Sequence, residues 1–478
     1  MTSNQHGQQI KMTGKIKITS LVNKSLLVLG LGETGLSLVR WLVAQGAHVR
    51  VADTRAQPPA LAELNTHLPQ VGIHCGPFRD EIFSQTDLIA ISPGIALNDP
   101  FVLRAKAHGI PVVGDIELFA QAQPEMNRPK IIAITGSNGK TTVTSLVAHL
   151  CQASGTDVVA AGNISPAVLG ATLQRGDHPP EVWALELSSF QLESTTTLHA
   201  DAATVLNISE DHLDRYNNMD EYAAAKARIF IGCTVQVLNR DDVRSIGMAQ
   251  ADCKTVTFGL DLPFTENDFG IARAAEEIWL MQGTQRLLKA SELQLTGLHN
   301  VANALAALAL CRAINLPMEQ LLPALRTFKG LPHRVECVAQ INGVTYYDDS
   351  KGTNVGATVA ALQGLGCKAI LIAGGEGKGQ DFTPLKSAVA QHARAVLLIG
   401  RDAALIASAL NDCGVAVIRA KDIHDAVQQS AQLAHSGDAV LLSPACASFD
   451  MFRNYVHRAE VFIAAVQALQ GAACAPQH

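Results

Sequence analysis

Residues 130–142 read KIIAITGSNGKTT, and three kinds of local signal follow one another within them. Ile131–Ile134 is an apolar strand, Thr135-Gly136-Ser137-Asn138-Gly139 a glycine-bearing turn, and Lys140-Thr141-Thr142 opens a helical pattern continued by Val143, Leu146 and Leu150. Glycines let the backbone turn its N–H groups inward around phosphate oxygens, and a helix N-terminus adds positive potential there. In that geometry Lys140 reaches terminal phosphates and the Thr141 hydroxyl holds Mg²⁺. Ile134 stands where the general pattern has its first glycine, so the loop is a shortened variant. A Gly/Asn turn beside a solvated lysine accounts for the glycines, but not for strand, loop, Lys-Thr and helix in that order.

The text on either side repeats the theme of short apolar strands alternating with amphipathic helices. SLLVLGLG leads through a helical pattern (Leu36, Val39, Leu42, Val43) to HVRVADTR, a βαβ unit, and DLIAISPGI adds a further strand. Around Gln121–Pro129 the sequence turns polar and proline-bearing, which marks a linker. VWALEL, AATVLNIS and the helical TGLHNVANALAALALCRA belong to the phosphate-loop section. A second junction falls near FKGLPHR, after which VTYYDDS, AILIAGG, AVLLIG and AVLLSPA are strands separated by alanine-rich helices. The expectation is an α/β protein of three domains, at 1–121 (with 1–20 a loose tail), 122–331 and 332–478. Each carries a mainly parallel sheet with ligands beyond the carboxyl ends of the strands.

Composition narrows the function. A net charge of −6 argues against a nucleic-acid partner, and no apolar run approaches a membrane span. The polar N-terminus lacks the apolar region of a signal peptide. Ten cysteines stand singly without metal-ligand spacing, as in a reducing compartment, so a cytoplasmic location is expected.

Two further groups carry chemistry. Gly30-Leu31-Gly32-Glu33-Thr34-Gly35, with Asp53 closing the next strand, fits the dinucleotide fingerprint. It would suit a nicotinamide cofactor, any diphosphate with an adjacent ribose such as a UDP group, or a tight turn with nothing bound. Glu186 ends the strand VWALEL and suits Mg²⁺ beside the phosphate loop. Glu210-Asp211-His212 follows another strand end and suggests metal or substrate contact; a helix N-cap at Ser209 explains the acids but not the histidine. Lys226 and Lys378, on their own, look like solvated lysines.

Taken together, TGSNGKTT, ELSSFQL, EDHLDRY, YAAAK, GLHNVANALAAL, GLPHR, DDSKGTN and SPACASFDMF occur in an order that resembles the Mur ligase family of bacterial peptidoglycan synthesis. The similarity is greatest to its D-glutamate-adding branch and covers the chain after the tail. It implies an N-terminal Rossmann-like UDP-binding domain, a central phosphate-loop ATPase and a C-terminal Rossmann-like domain. The implied reaction joins D-glutamate to UDP-N-acetylmuramoyl-L-alanine through an acyl phosphate, with ATP split to ADP and phosphate. The implied protein is a monomer using two Mg²⁺ ions, with Thr141 and Glu186 near one, and His212 and a carbamylated Lys226 near the other. Lys140, Glu186, His212, Lys226 and Lys351 are the implied catalytic set. ATP would meet Gly136, Asn138, Gly139, Lys140, Thr141, Thr142, Asn300, Asn303, Arg334 and Asp349. The UDP group maps to Glu33, Thr34, Asp53, Thr54, Arg55, Ser92 and Gly94, and the muramoyl-alanine end to Asn163, Ser188, Gln191 and His212. D-Glutamate maps to Thr353, Lys378, Ser448 and Tyr455, the last standing where the family often has phenylalanine.

Overall fold

The structure, a computed structural model, describes residues 20–473 except 125, 213, 214, 276 and 296. The expected tail therefore lies outside the described residues, apart from Ser20.

The first sheet is built from β1 (Ser25–Leu29), β2 (His48–Asp53), β3 (Gly72–Cys75), β4 (Leu88–Ile91) and β5 (Val112–Gly114), in the order β3-β2-β1-β4-β5. All its pairings are parallel. A parallel strand covered on both faces is apolar throughout, which is why SLLVL and LIAI read as continuous rather than alternating hydrophobic runs. The chain reverses its direction of winding between β1 and β4, so the crevice beyond them receives the Gly30 and Ser92 turns.

The second sheet comprises β6 (Lys130–Thr135), β7 (Val158–Gly162), β8 (Val182–Glu186), β9 (Ala202–Val205), β10 (Val235–Asn239) and β11 (Lys254–Phe258), ordered β11-β10-β9-β6-β8-β7. These pairings are parallel too. β6 has β8 on one side and β9 on the other, so the loop after it sits at the switch point. The helices Lys140–Ala153 and Leu298–Ala313 cover one face around Val143, Leu146, Leu305 and Leu308.

Sequence reasoning missed a small antiparallel sheet, β12 (Phe269–Ala274), β13 (Glu277–Gln282) and β14 (Gln285–Lys289). The last sheet has β15 (Glu336–Ile341), β16 (Val344–Asp348), β17 (Ala369–Gly374), β18 (Ala393–Ile399), β19 (Ala416–Arg419) and β20 (Ala439–Leu442), ordered β15-β16-β20-β17-β18-β19. Only β15 runs antiparallel there.

Two expectations are corrected. The polar stretch at Gln121 is not yet linker, because a helix runs from Asp115 to Ala122. Its buried Glu117 accepts hydrogen bonds from the Thr196 and Thr197 backbone at 2.6 and 3.0 Å, anchoring it to the second sheet's layer. The segment after β9 does not form a helix at Ser209–His212, so the N-cap reading of those acids does not hold. Among the described residues no helix is long and apolar enough to cross a membrane.

Candidate active site

The loop after β6 is shaped by two glycines with positive φ, Gly136 at 152° and Gly139 at 82°. The Lys140–Ala153 helix begins directly after Gly139 with no side-chain cap, so its N-terminus has the uncapped form that suits an anion. Asn207, just past β9, closes the loop by accepting from the Asn138 N–H at 2.8 Å and donating to its carbonyl at 3.1 Å. Lys140 folds back onto the loop, donating to the Gly136 and Ser137 carbonyls at 2.9 and 3.0 Å. Burial pushes its ammonium below the ordinary lysine range, with Glu186 and Asp211 pulling the other way.

Lys226 comes from the Met219–Ala227 helix and is 2 % exposed. Its Nζ donates to the Gly136 carbonyl at 3.0 Å and the Thr135 hydroxyl at 3.3 Å, and lies 4.7 Å from the centre of the Tyr222 ring. Burial holds it well below the usual ammonium range, and neighbouring Lys140 adds to that. Glu186 ends β8 with Oε1 accepting from Asn163 Nδ2 at 2.9 Å, while Oε2 is buried without a partner. His212 takes a left-handed φ of 55° and packs at 4.9 Å from the Phe190 ring and 6.4 Å from Tyr222. Burial lowers its pKa and so disfavours the imidazolium, while Asp211, whose Oδ2 lies 3.6 Å from Nε2, pulls the other way.

Two adjoining cavities meet at this loop. The first, about 350 Å³, is lined by Asn138, Gly139, Thr142, Asn300, Asn303, Arg334 and Asp349, with Phe258, Leu260 and Asp241 on its far wall. The second, about 700 Å³, joins Lys140, Thr141, Asn163, Glu186 and His212 of the second sheet to Thr353, Lys378 and Tyr455 of the last. Asn138, Gly139, Arg334 and Lys351 border both. Arg334 Nη2 donates to the Thr141 hydroxyl at 2.8 Å, and Lys351 Nζ lies 4.0 Å over the Tyr455 ring. Burial raises the Asp349 carboxyl to about 7 and lowers the Lys351 ammonium to about 8.

Not every expected residue faces these cavities. Ser188 and Gln191 form a capping box on the short helix Ser189–Glu193, and Gln191 Nε2 donates to Asp115 at 3.0 Å. Ser448 is 3 % exposed and does not line the second cavity. At the first sheet, Glu33 and Thr34 open the helix after Gly32, and the Ser92 hydroxyl donates to the Gly30 carbonyl at 3.1 Å. Thr54 and Arg55 follow β2, and the Gly94 carbonyl accepts from Arg215 at 3.4 Å. Asp53 is committed to the protein itself, accepting from the Leu31 N–H at 2.7 Å and from the Arg55 guanidinium. The acid that a nicotinamide dinucleotide site would turn toward a ribose is thus engaged.

Sequence reasoning passed over His333, whose Nδ1 lies 2.6 Å from Asp348 on the wall of the second cavity, although its motif neighbour Arg334 was singled out. It also passed over Phe258 and Leu260, apolar strand-end residues with no signal beyond their burial.

A glycine loop opening a helix at a parallel-sheet switch point, facing a second cavity completed by another domain, is the architecture of a nucleotide-dependent multidomain α/β enzyme. Family models match along the chain: Mur ligase MurD-like, N-terminal domain over residues 24–114, Mur ligase middle domain over 134–311, and Mur ligase, glutamate ligase domain over 333–446. The chain belongs to the Mur ligase family. It is 58 % identical over 459 residues to the UDP-N-acetylmuramoylalanine--D-glutamate ligase of Nitrosospira multiformis, covering 95 % of this chain and 97 % of that protein. It is 57 % identical over 456 residues to the protein of the same name from Nitrosomonas europaea, covering 94 % and 97 %. Among solved structures, the UDP-N-acetylmuramate-alanine ligase of Thermotoga maritima aligns with a TM-score of 0.59 at 19 % identity, over 94 % of this chain and 100 % of that one. A pseudomurein peptide ligase type C from Methanothermus fervidus aligns at 0.56 and 21 % identity, over 88 % and 96 %. Both share the fold.

Proposed function

We infer that this chain joins D-glutamate to UDP-N-acetylmuramoyl-L-alanine at the expense of ATP, a step in making peptidoglycan precursors. The observation that carries the reading is the second cavity, where the phosphate-loop residues Lys140 and Thr141 meet Lys378 and Thr353 of the glutamate ligase domain. Identities above 55 % over most of the chain to proteins named for this reaction support the choice of substrates. We place the first domain boundary at Gly114, earlier than the sequence alone suggested, because the Asp115–Ala122 helix is bonded to the second sheet's layer and the N-terminal family match ends at 114.

A carboxylate does not accept an amine directly, since oxide is too poor a leaving group. In the reaction, an oxygen of the L-alanyl carboxylate attacks the γ-phosphorus, the bond to the bridging oxygen breaks and ADP departs. The deprotonated amine of D-glutamate then attacks the acyl carbon, and the tetrahedral intermediate expels phosphate. The first step brings like charges together at a cost on the order of 4 kcal/mol per unit pair at about 4 Å and an effective dielectric of about 20. Lys140, Arg334 and Lys351 face the region where those charges meet, so fixed cations offset the repulsion. Lys378 offers a cation to a glutamate carboxylate, and Tyr455 and Thr353 border the same space.

Divalent ions fit the donors present. Glu186 Oε2 is a buried acceptor without a partner, and the Thr141 hydroxyl lies at the start of the same loop's helix. His212 and a Lys226 carbamate would form a second set: burial disfavours the charged form of both side chains, and an unprotonated lysine amine that takes up CO₂ and gives up a proton would become an anionic, hard oxygen ligand. When bound, Mg²⁺ supplies further neutralisation of phosphate charge. Glu33, Thr34, Thr54, Arg55, Ser92 and Gly94 edge the crevice we assign to the UDP group. The working unit we propose is a monomer in the cytoplasm; every described cysteine is a free thiol.

Phosphate release from ATP, followed with the UDP-linked acceptor across a panel of amino acids, tests this reading. D-Glutamate alone should stimulate it. Equal stimulation by L-alanine or diaminopimelate, or no ATP turnover, would overturn the assignment.

A further inference from the structure

Both cavities are lined from the second and the last domain, and a line of hydrogen bonds, passing through the backbone N–H of Val355, joins the phosphate loop to the loop that carries Lys378. Asn138, inside the phosphate loop, presents its side-chain oxygen to Asn354 Nδ2 at 2.9 Å. Asn354 is 6 % exposed and is the N-cap of the helix Val355–Gly364, its own oxygen accepting from the Ala357 N–H at 2.9 Å. The first N–H of that helix, on Val355, has no partner within the helix and donates instead to Gln380 Oε1 at 2.9 Å. Gln380 Nε2 in turn donates to the carbonyls of Gly377 at 3.0 Å and Ala445 at 2.7 Å. Between Gly377 and Gln380 stands Lys378, held at a left-handed φ of 52°. The domains also meet closely at Gly356, where an added Cβ would lie 3.0 Å from the Ser209 hydroxyl and 3.2 Å from Asn138 Nδ2.

We propose that Asn354 and Gln380 are positioning residues that couple the nucleotide loop to the amino-acid loop, so that filling the phosphate site sets Lys378 for D-glutamate. The proposal rests on the reading of Lys378 given above. Each amide is engaged at both ends: Asn354 caps one helix while gripping the other domain, and Gln380 accepts from that helix while fixing the Lys378 turn. The line is serial, so cutting it at one point severs the connection, and a second cut adds little.

Three variants test it: Asn354→Ser, Gln380→Met and the double substitution. Serine still caps the helix but is too short to reach Asn138, so the protein should stay folded, with a melting temperature lowered by a few degrees at most. The KM for D-glutamate should rise about fivefold in each single variant, the factor one such hydrogen bond carries. The kcat at saturating D-glutamate should stay within about twofold, and the double variant should be no worse than the weaker single. Independently of turnover, a non-hydrolysable ATP analogue should slow amide hydrogen exchange over residues 375–380 in the wild type and not in Asn354→Ser. An unchanged KM in N354S, multiplying effects in the double variant, or exchange that ignores nucleotide in the wild type would each overturn the coupling. A wild type that shows no D-glutamate-dependent phosphate release strikes the proposed reaction instead, and the exchange measurement still judges the coupling.

Discussion

Lys226 illustrates how far a single residue can be read. In YAAAK it is a helix lysine among alanines, which ordinarily means a solvated cation, and only the family motif singled it out. Folding buries it against the Gly136 carbonyl, a contact that no local spacing announces because it joins a helix to a loop 90 residues away. The Tyr222 ring beside it, one helical turn back, is the part local spacing does place. Lys140, Thr141 and Glu186 were legible, since glycine turns and strand-end acids leave local marks. A Lys226→Arg variant keeps a cation but cannot carry CO₂; turnover should fall at least about 100-fold, in line with losing a second-ion ligand. Near-normal phosphate release would refute the carbamate. Lys351 carries a pH prediction. Burial, with Arg334 close by, brings its ammonium down to about 8. Because that value is depressed, the folded protein is penalised for the proton below pH 8 and relieved as pH rises toward the ordinary lysine value. Activity runs the other way, for the cation disappears. The kcat/KM for ATP should therefore fall above about pH 8, a limb that Lys351→Arg should push beyond the measurable range.

The Asp115–Ala122 helix shows two buried acids behaving oppositely within one element. Burial lifts the Asp115 carboxyl from 3.8 to about 6; Gln191 offers it one hydrogen bond, and its Oδ1 has no partner. Raised above its unfolded value, the group costs stability once ionised: nothing below about pH 4, the full amount above pH 6. That displacement corresponds to about 3 kcal/mol at most. Asp115→Asn should therefore stabilise the protein at pH 8, with the gain gone by pH 4, as urea melts at both values would register. Glu117 is satisfied by two threonine N–H groups and their hydroxyls, so Glu117→Ala should cost at least about 3 kcal/mol. The polar stretch read as linker from Gln121 begins inside this helix's last turn, because packing against a distant layer is invisible to composition. The missed antiparallel sheet was more accessible. Gly283, with φ of 52°, and Thr284 form a two-residue turn between β13 and β14, a hairpin signature that the sequence displays.

At the scale of the molecule, one parallel sheet in each of three sections, with an antiparallel edge strand on the last, was the most legible level, and the second and last sheets border shared cavities. Alternating apolar strands and helices, two polar junctions and the loop after β6 were enough for the α/β, three-section arrangement. What local patterns withheld was how the sections face one another, since contacts such as Arg334 to Thr141 bring together residues 193 positions apart. That guanidinium bridges the junction to the phosphate loop, and Arg334→Ala should raise the KM for ATP about tenfold or more, the loss of one charge-assisted bond. The common walls of the two chambers have a practical reading for inhibitor chemistry. With Asn138, Gly139, Arg334 and Lys351 bordering both spaces, the two cavities are only a side chain's thickness apart. A single compound carrying a triphosphate mimic at one end and a glutamate mimic at the other would sacrifice its tumbling freedom once instead of twice. Its second half would then dock at a local concentration in the millimolar range, set by tether length alone.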